Sequence, residues 1–173
     1  MIQYLSVGTL YSLWDDSQEE SFRVGYFMGG NEEYALFSLV STRGYDDGLY
    51  LTTNKNLFRI DSSDDYTQRI NRLFALQGQT HRTLEQSFGE VSGTNFCKNA
   101  KERGEPISIL LNSGDTICGF VKNIFEDVVQ ISKVNENGQD DGEALVLWES
   151  IEKFRMDSGE ERMRMQLREQ SIR

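Results

Sequence analysis

Gly44-Tyr45-Asp46-Asp47-Gly48 returns 94 residues later as Gly138-Gln139-Asp140-Asp141-Gly142. This repetition decides how the chain is read, because a repeat fixes the structural unit before any single element is assigned. Upstream the same offset holds: Gly25 aligns with Gly119, and Ser38-Leu39-Val40 with Ser132-Lys133-Val134. Downstream the match slips to an offset of 96, with Phe58-Arg59-Ile60-Asp61-Ser62 facing Phe154-Arg155-Met156-Asp157-Ser158. Paired acids follow each, Asp64-Asp65 and Glu160-Glu161. Three matches in order point to two copies of one small unit.

Each copy reads as β. In the second, Ile107, Ile109 and Leu111 alternate with Ser108, Leu110 and Asn112, the period of a half-buried strand. Strands follow at Thr116 to Asn123, Val128 to Val134, Glu143 to Trp148 and Ile151 to Met156, with turn signals at Asn112-Ser113-Gly114-Asp115 and Asn137-Gly138. The first copy predicts strands at Thr9 to Trp14, Ser21 to Met28, Tyr34 to Ser41, Leu49 to Thr53 and Leu57 to Ile60. Gly25 and Gly119 each interrupt a second strand, as suits a sharp bend. Five short strands with one bent member describe a small barrel.

Helices follow each barrel. Ser62-Ser63-Asp64-Asp65 and Ser158-Gly159-Glu160-Glu161 place a serine three residues before an acid, the spacing of a capping box. The first helix carries Ile70, Leu73, Phe74 and Leu76 as a core-facing stripe. Leu84, Phe88, Phe96 and Ala100 are expected to pack on the second barrel. The last helix holds Met163, Met165, Leu167 and Ile172 among four arginines.

The second copy resembles the Sm-like family. The residues that carry the resemblance are Ile107-Ser108-Ile109-Leu110-Leu111, Gly114, Ile117-Cys118-Gly119-Phe120-Val121, Val128-Val129-Gln130-Ile131 and Ile151. The first copy inherits it through the internal alignment. The resemblance implies two tandem five-stranded Sm-like (SH3-like) barrels in a mainly β chain with helices. Their bounds are 1–61 and 105–157, with a helical linker over 62–104 and a C-terminal helix over 158–173. It also implies that the fourth and fifth strands are open edges. The family holds RNA bases near the turn between the second and third strands, where this chain has Ile124, Phe125 and Val129, and Gly30, Asn31 and Ala35 in the first copy. Its second signature, Arg-Gly or Lys-His after the fourth strand, is replaced by Trp148-Glu149-Ser150 and Thr52-Thr53-Asn54. A glutamate in place of a bidentate cation repels phosphate.

Composition narrows the function. The 173 residues hold 18 Lys+Arg against 28 Asp+Glu, a net charge of −10. Residues 1–80 carry 6 basic and 11 acidic side chains and residues 81–173 carry 12 and 17, so each half sums to −5. A field of that sign disfavours indiscriminate RNA binding. No apolar run approaches the length of a membrane helix and no basic region precedes a greasy stretch at the N-terminus, so a cytoplasmic protein is expected. Two cysteines and one histidine exclude a zinc finger and a disulfide scaffold.

No catalytic constellation emerges, and neither a cofactor nor a metal is expected. The Asp-Asp-Gly segments could gather carboxylates around a divalent cation, but hairpin tips use the same residues for φ > 0, and that reading is preferred. His81 reads as an exposed linker residue and Cys118 as a small core residue. Cys97, beside Lys98 and Lys101, would be activated only at a helix start. The densest cationic cluster, and the candidate RNA-binding set, is Arg155, Arg162, Arg164 and Arg168, joined by Arg69, Arg72 and Arg82. A solvated helix face with acids interspersed is the preferred reading of them. The sequence therefore predicts a non-enzymatic assembly or interaction module that engages a protein partner, or itself, through barrel edges. An RNA-binding regulator using a non-standard surface is the alternative.

Overall fold

The computed structural model describes residues 1–15, 22–84 and 88–171, so the expected strand start at Ser21 and the apolar Ile172 lie outside the described residues. The chain divides into two compact units, Met1–Val91 and Ser92–Arg173. The first contains β1 (Leu10–Trp14), β2 (Arg23–Gly30), β3 (Tyr34–Val40), β4 (Asp46–Thr53), β5 (Arg59–Ser62) and α1 (Asp65–Leu76). The second contains α2 (Gly93–Arg103), β6 (Ile107–Leu111), β7 (Thr116–Ile124), β8 (Val128–Val134), β9 (Asp140–Leu147), β10 (Ile151–Met156) and α3 (Gly159–Ser171). The protein is mainly β, as expected.

Within each unit the strands are antiparallel, in the order β5-β1-β2-β3-β4 and β10-β6-β7-β8-β9. Neither five-stranded ladder closes on itself as a hydrogen-bonded barrel. The fourth and fifth strands are instead the two outer strands of each.

The duplication is deeper than the sequence match. β3 and β8, β4 and β9, and the single 3-10 turns at 54–56 and 148–150 coincide at an offset of 94. Irregularities coincide too. The register slips between Phe27 and Gly29 and between Val121 and Asn123, then again between Ser38 and Val40 and between Ser132 and Val134. At the second slip Asp47-Gly48 and Asp141-Gly142 oppose one residue each. The Asp-Asp-Gly segments are therefore bulges at the start of a strand, not hairpin tips.

The offset of 96 in the fifth strand is corrected by the ladder. Tyr11 and Ile107 face Gly25 and Gly119 of the second strands, and their fifth-strand partners are Ser62 and Met156, 94 apart. Phe58 is 51% exposed whereas Phe154 is 1% exposed, so these two phenylalanines are not equivalent. The offset of 94 continues past the strand: Ser63 and Asp157 both take positive φ, at 62° and 56°.

Local chemistry explains the helix ends. Asp64 rather than Ser62 caps α1, its carboxylate accepting from the Thr67 N–H at 2.7 Å. In the second copy the Ser158 N–H donates to Glu161 Oε2 at 2.8 Å, one half of the expected box. Ser92 caps α2, which ends on left-handed Gly104. Ile70 and Phe74 are buried against Leu10, Val24, Tyr26 and Val40. Leu76, placed in the stripe by its spacing, is 81% exposed, because at about 100° per residue it points well away from the face that Ile70 and Phe74 share. Phe96 and Ala100 are buried on α2 in the second unit, as expected. Leu84 instead lies over Gly29 of the first sheet, its Cδ2 3.6 Å from where a β-carbon would stand.

Candidate functional site

The resemblance directs attention to the corner between the second-third and fourth-fifth strand loops, and the structure builds that corner twice with the same bonds. Asn54 Nδ2 donates to the Asn31 carbonyl at 2.8 Å, and Trp148 Nε1 donates to the Phe125 carbonyl at 3.1 Å. The backbone N–H groups of Asn54 and Trp148 reach the carbonyls of Glu33 and Asp127. The side chains of Asn54 and Trp148 are thus spent on internal bonds. Asn31 Oδ1 accepts from the N–H groups of Glu33 and Tyr34, and Asn31 Nδ2 donates to the Val91 carbonyl at 2.7 Å. Ala35, Val129 and Thr52 are fully buried and Thr53 nearly so. A cavity of about 650 Å3 lies beside the first corner, lined by Ile2, Leu5, Phe27, Asn31, Glu32 and Asn54 among others. No lysine or arginine lines it, so a phosphate would find no counter-charge from these side chains.

The four arginines of the candidate RNA-binding set lie on β10 and α3 and are each engaged. Arg155 approaches Glu160 at 3.7 Å, and Arg162 Nε bonds Asp157 at 2.7 Å. Arg164 donates to the Val134 carbonyl, and Arg168 to the Gly138 carbonyl and to Asp140 at 2.7 Å. At the offset of 94, Arg164 and Arg168 stand where α1 has the core residues Ile70 and Phe74. Arg168 lies 5.7 Å from the Phe120 ring centre, as Phe74 lies 5.3 Å from that of Tyr26. The inner face of α3 is therefore built with arginine stems and carbonyl bonds. Of the others, Arg69 lies over Tyr66 and Arg82 binds Asp46, Nε to Oδ1 at 2.8 Å.

His81 is half-buried, not an exposed linker residue: its ring stacks on Tyr26 at 4.6 Å and its Nδ1 lies 3.0 Å from the Arg82 carbonyl. Both cysteines are buried. Desolvation pushes the Cys97 thiol up to about 12 and raises that of Cys118, which leaves neither activated as a nucleophile at neutral pH. Among the described residues no three His, Cys, Asp or Glu side chains are disposed to hold a metal ion.

Sequence reasoning missed two buried polar networks. Tyr50, fully buried, donates to Asp15, whose other oxygen meets Arg23 at 2.7 Å. Desolvation, then the Asp15 charge, holds the Tyr50 hydroxyl well above its ordinary range. In the second unit Ser108 donates to the buried Glu161. Neither network leaves a signal at short range, since its members are 35 and 53 residues apart.

The feature with the clearest capacity to bind is β9. It is an outer strand in its ladder, and all but Ala144 and Val146 are exposed along Asp140–Leu147. Leu145 is 68% and Leu147 48% exposed, and Phe125, at the neighbouring corner, is 50% exposed. The equivalent residues of β4, Leu51 and Thr53, are buried. The same strand positions are therefore buried in one copy and exposed in the other.

No family model, no curated protein and no solved structure matches this chain. No helix among the described residues is long and apolar enough to cross a membrane.

Proposed function

We propose that the chain is a non-enzymatic interaction module made of two tandem Sm-like units, and that it works through the outer strands of its sheets. The fold part of this reading is supported by the order of strands in each unit, with the fourth and fifth outermost, by the register slip that the two second strands share, and by the duplicated loop corner. The observation that carries the functional part is β9: a regular outer strand with two exposed leucines where the other copy has buried residues. Outer strands present unpaired N–H and C=O groups and act as templates for another strand unless they are blunted. A protein partner, or a second copy, is the natural occupant.

RNA is disfavoured by the charge of −10 and by the engagement of Arg155, Arg162, Arg164 and Arg168 within the unit. The experiment is a Leu145→Gln, Leu147→Gln double variant of the full chain. It should melt where the wild type melts, since both side chains face solvent, and lose association seen by sedimentation or partner binding. Tight oligo-U binding that falls steeply with salt and survives the double variant would displace this reading in favour of an RNA regulator.

A further inference from the structure

Resting on the reading of β9 as the working edge, we infer that its occupant is an extended cationic peptide from another protein, added beside β9 as a further strand of the second unit's ladder. Three observations converge on that chemistry.

The first is the strand itself. Asp140–Leu147 contains no proline and no lysine, the residues that most often guard an edge. The bulge at Asp141-Gly142 disturbs its beginning, but from Glu143 to Leu147 the pairing with β8 is regular. Five residues are enough for a strand of ordinary length to pair along.

The second is the side-chain pattern. Glu143, Leu145 and Leu147 share one face because strand residues alternate. A strand laid beside them would place every second side chain against the two leucines, which is how strand addition obtains its specificity. Phe125 extends the apolar surface at the Leu147 end, where the Trp148 indole N–H ties the two loops together.

The third is charge. At the beginning of β9 the acids are answered internally: Asp140 by Arg168, Asp141 by Lys133 and Glu143 by Lys122. At its end Glu126, Asp127 and Glu149 are exposed, and none makes an ion pair among the described residues. The apolar edge thus finishes in three free carboxylates, which steer a lysine- or arginine-bearing strand toward it and repel anionic partners. A second copy would bring another chain of net charge −10 to that rim, and a nucleic acid would bring phosphates.

The probe is a blocked eight-residue peptide of alternating valine and lysine, titrated into the full chain while backbone amide resonances are followed. Its counterpart with glutamate for lysine and a version methylated on alternate backbone nitrogens serve as comparisons. The lysine peptide should perturb the amides of residues 143–147 and saturate. The glutamate and methylated peptides, and the Leu145→Gln, Leu147→Gln variant, should each bind at least about tenfold more weakly. A Glu126→Gln, Asp127→Asn, Glu149→Gln variant should keep its fold and lose most of the salt dependence. Equal binding of the glutamate peptide, perturbation centred away from β9, or no saturation would overturn the inference. If the β9 amides shift with protein concentration alone, the occupant is a second copy; the cationic partner is then wrong while the edge reading stands. If they respond to neither peptide nor concentration and RNA shifts other residues, both fail.

Discussion

A β-carbon on Gly119 would run into the Ser132 carbonyl and stand 2.8 Å from Ile131 Cγ2, while one on Gly25 would meet Leu39 Cδ2 and the Ser38 carbonyl at 3.1 Å. Both glycines face the carbonyl of the equivalent serine on the next strand, but the approach is far closer at the second. Gly119→Ala should therefore cost about 2–4 kcal/mol and Gly25→Ala about 1 kcal/mol in urea unfolding, because at Gly119 the backbone itself must shift whereas at Gly25 the neighbours need give by only a few tenths of an ångström. Equal losses would contradict the geometry. A second prediction concerns alkali. Burial lifts the Cys97 thiol from 9.0 to about 12, and Tyr50 is held well above 10.0. Groups whose folded pKa lies above the unfolded value stabilise the protein below the unfolded pKa and cease to do so as pH rises toward the folded one. The melting temperature should thus stay level up to about pH 9 and fall between about 9 and 12. Cys97→Ala should melt lower at neutral pH through its cavity yet fall less steeply above pH 9, which a series of thermal melts against pH would show.

The elements were legible where periodicity or turn chemistry is local. Val128 to Val134 and Ile151 to Met156 have the bounds their patterns predict. What was not legible depended on partners distant in sequence. The ladder register, not the Phe-Arg match, aligns the fifth strands, and Asp-Asp-Gly proved a bulge because its neighbour across the sheet is one residue short. The arginines of α3 read as a surface patch, since nothing nearby shows that Arg164 and Arg168 occupy the positions of Ile70 and Phe74. Gly138 makes that packing close: a β-carbon there would stand 2.5 Å from the Arg164 carbonyl oxygen and the Arg168 nitrogen. Deleting residues 159–173 should accordingly lower stability by about 2–4 kcal/mol through loss of the buried Glu161 and the two arginine contacts. Gly138→Val should reproduce part of that loss without deleting anything. An unchanged melting temperature after the deletion would mean that α3 contributes nothing to the unit and is free to dock elsewhere.

At the scale of the whole molecule, the candidate site was only half visible in the sequence. The resemblance implies open edges on the fourth and fifth strands, but that Leu51 and Thr53 are buried while Leu145 and Leu147 are exposed is not written in the similar sequence patterns of β4 and β9. Charge was legible throughout, and it governs the last prediction. Non-specific nucleic-acid affinity comes from released counterions, and each phosphate contact needs a cation free to make it. Here −10 is spread evenly over the two halves, and Arg155, Arg162, Arg164 and Arg168 are already committed to carboxylates or carbonyls. An oligo-U titration at about 150 mM salt should show no binding tighter than about 10 μM, and lowering the salt should strengthen it only slightly, because few counterions would be displaced. Neutralising the four arginines separates the explanations. If they are structural, Arg164→Gln and Arg168→Gln lower the melting temperature and leave RNA affinity where it was. If they form an interface, affinity and its salt slope fall together while the melting temperature holds, and the protein would have to be read as an RNA-binding module.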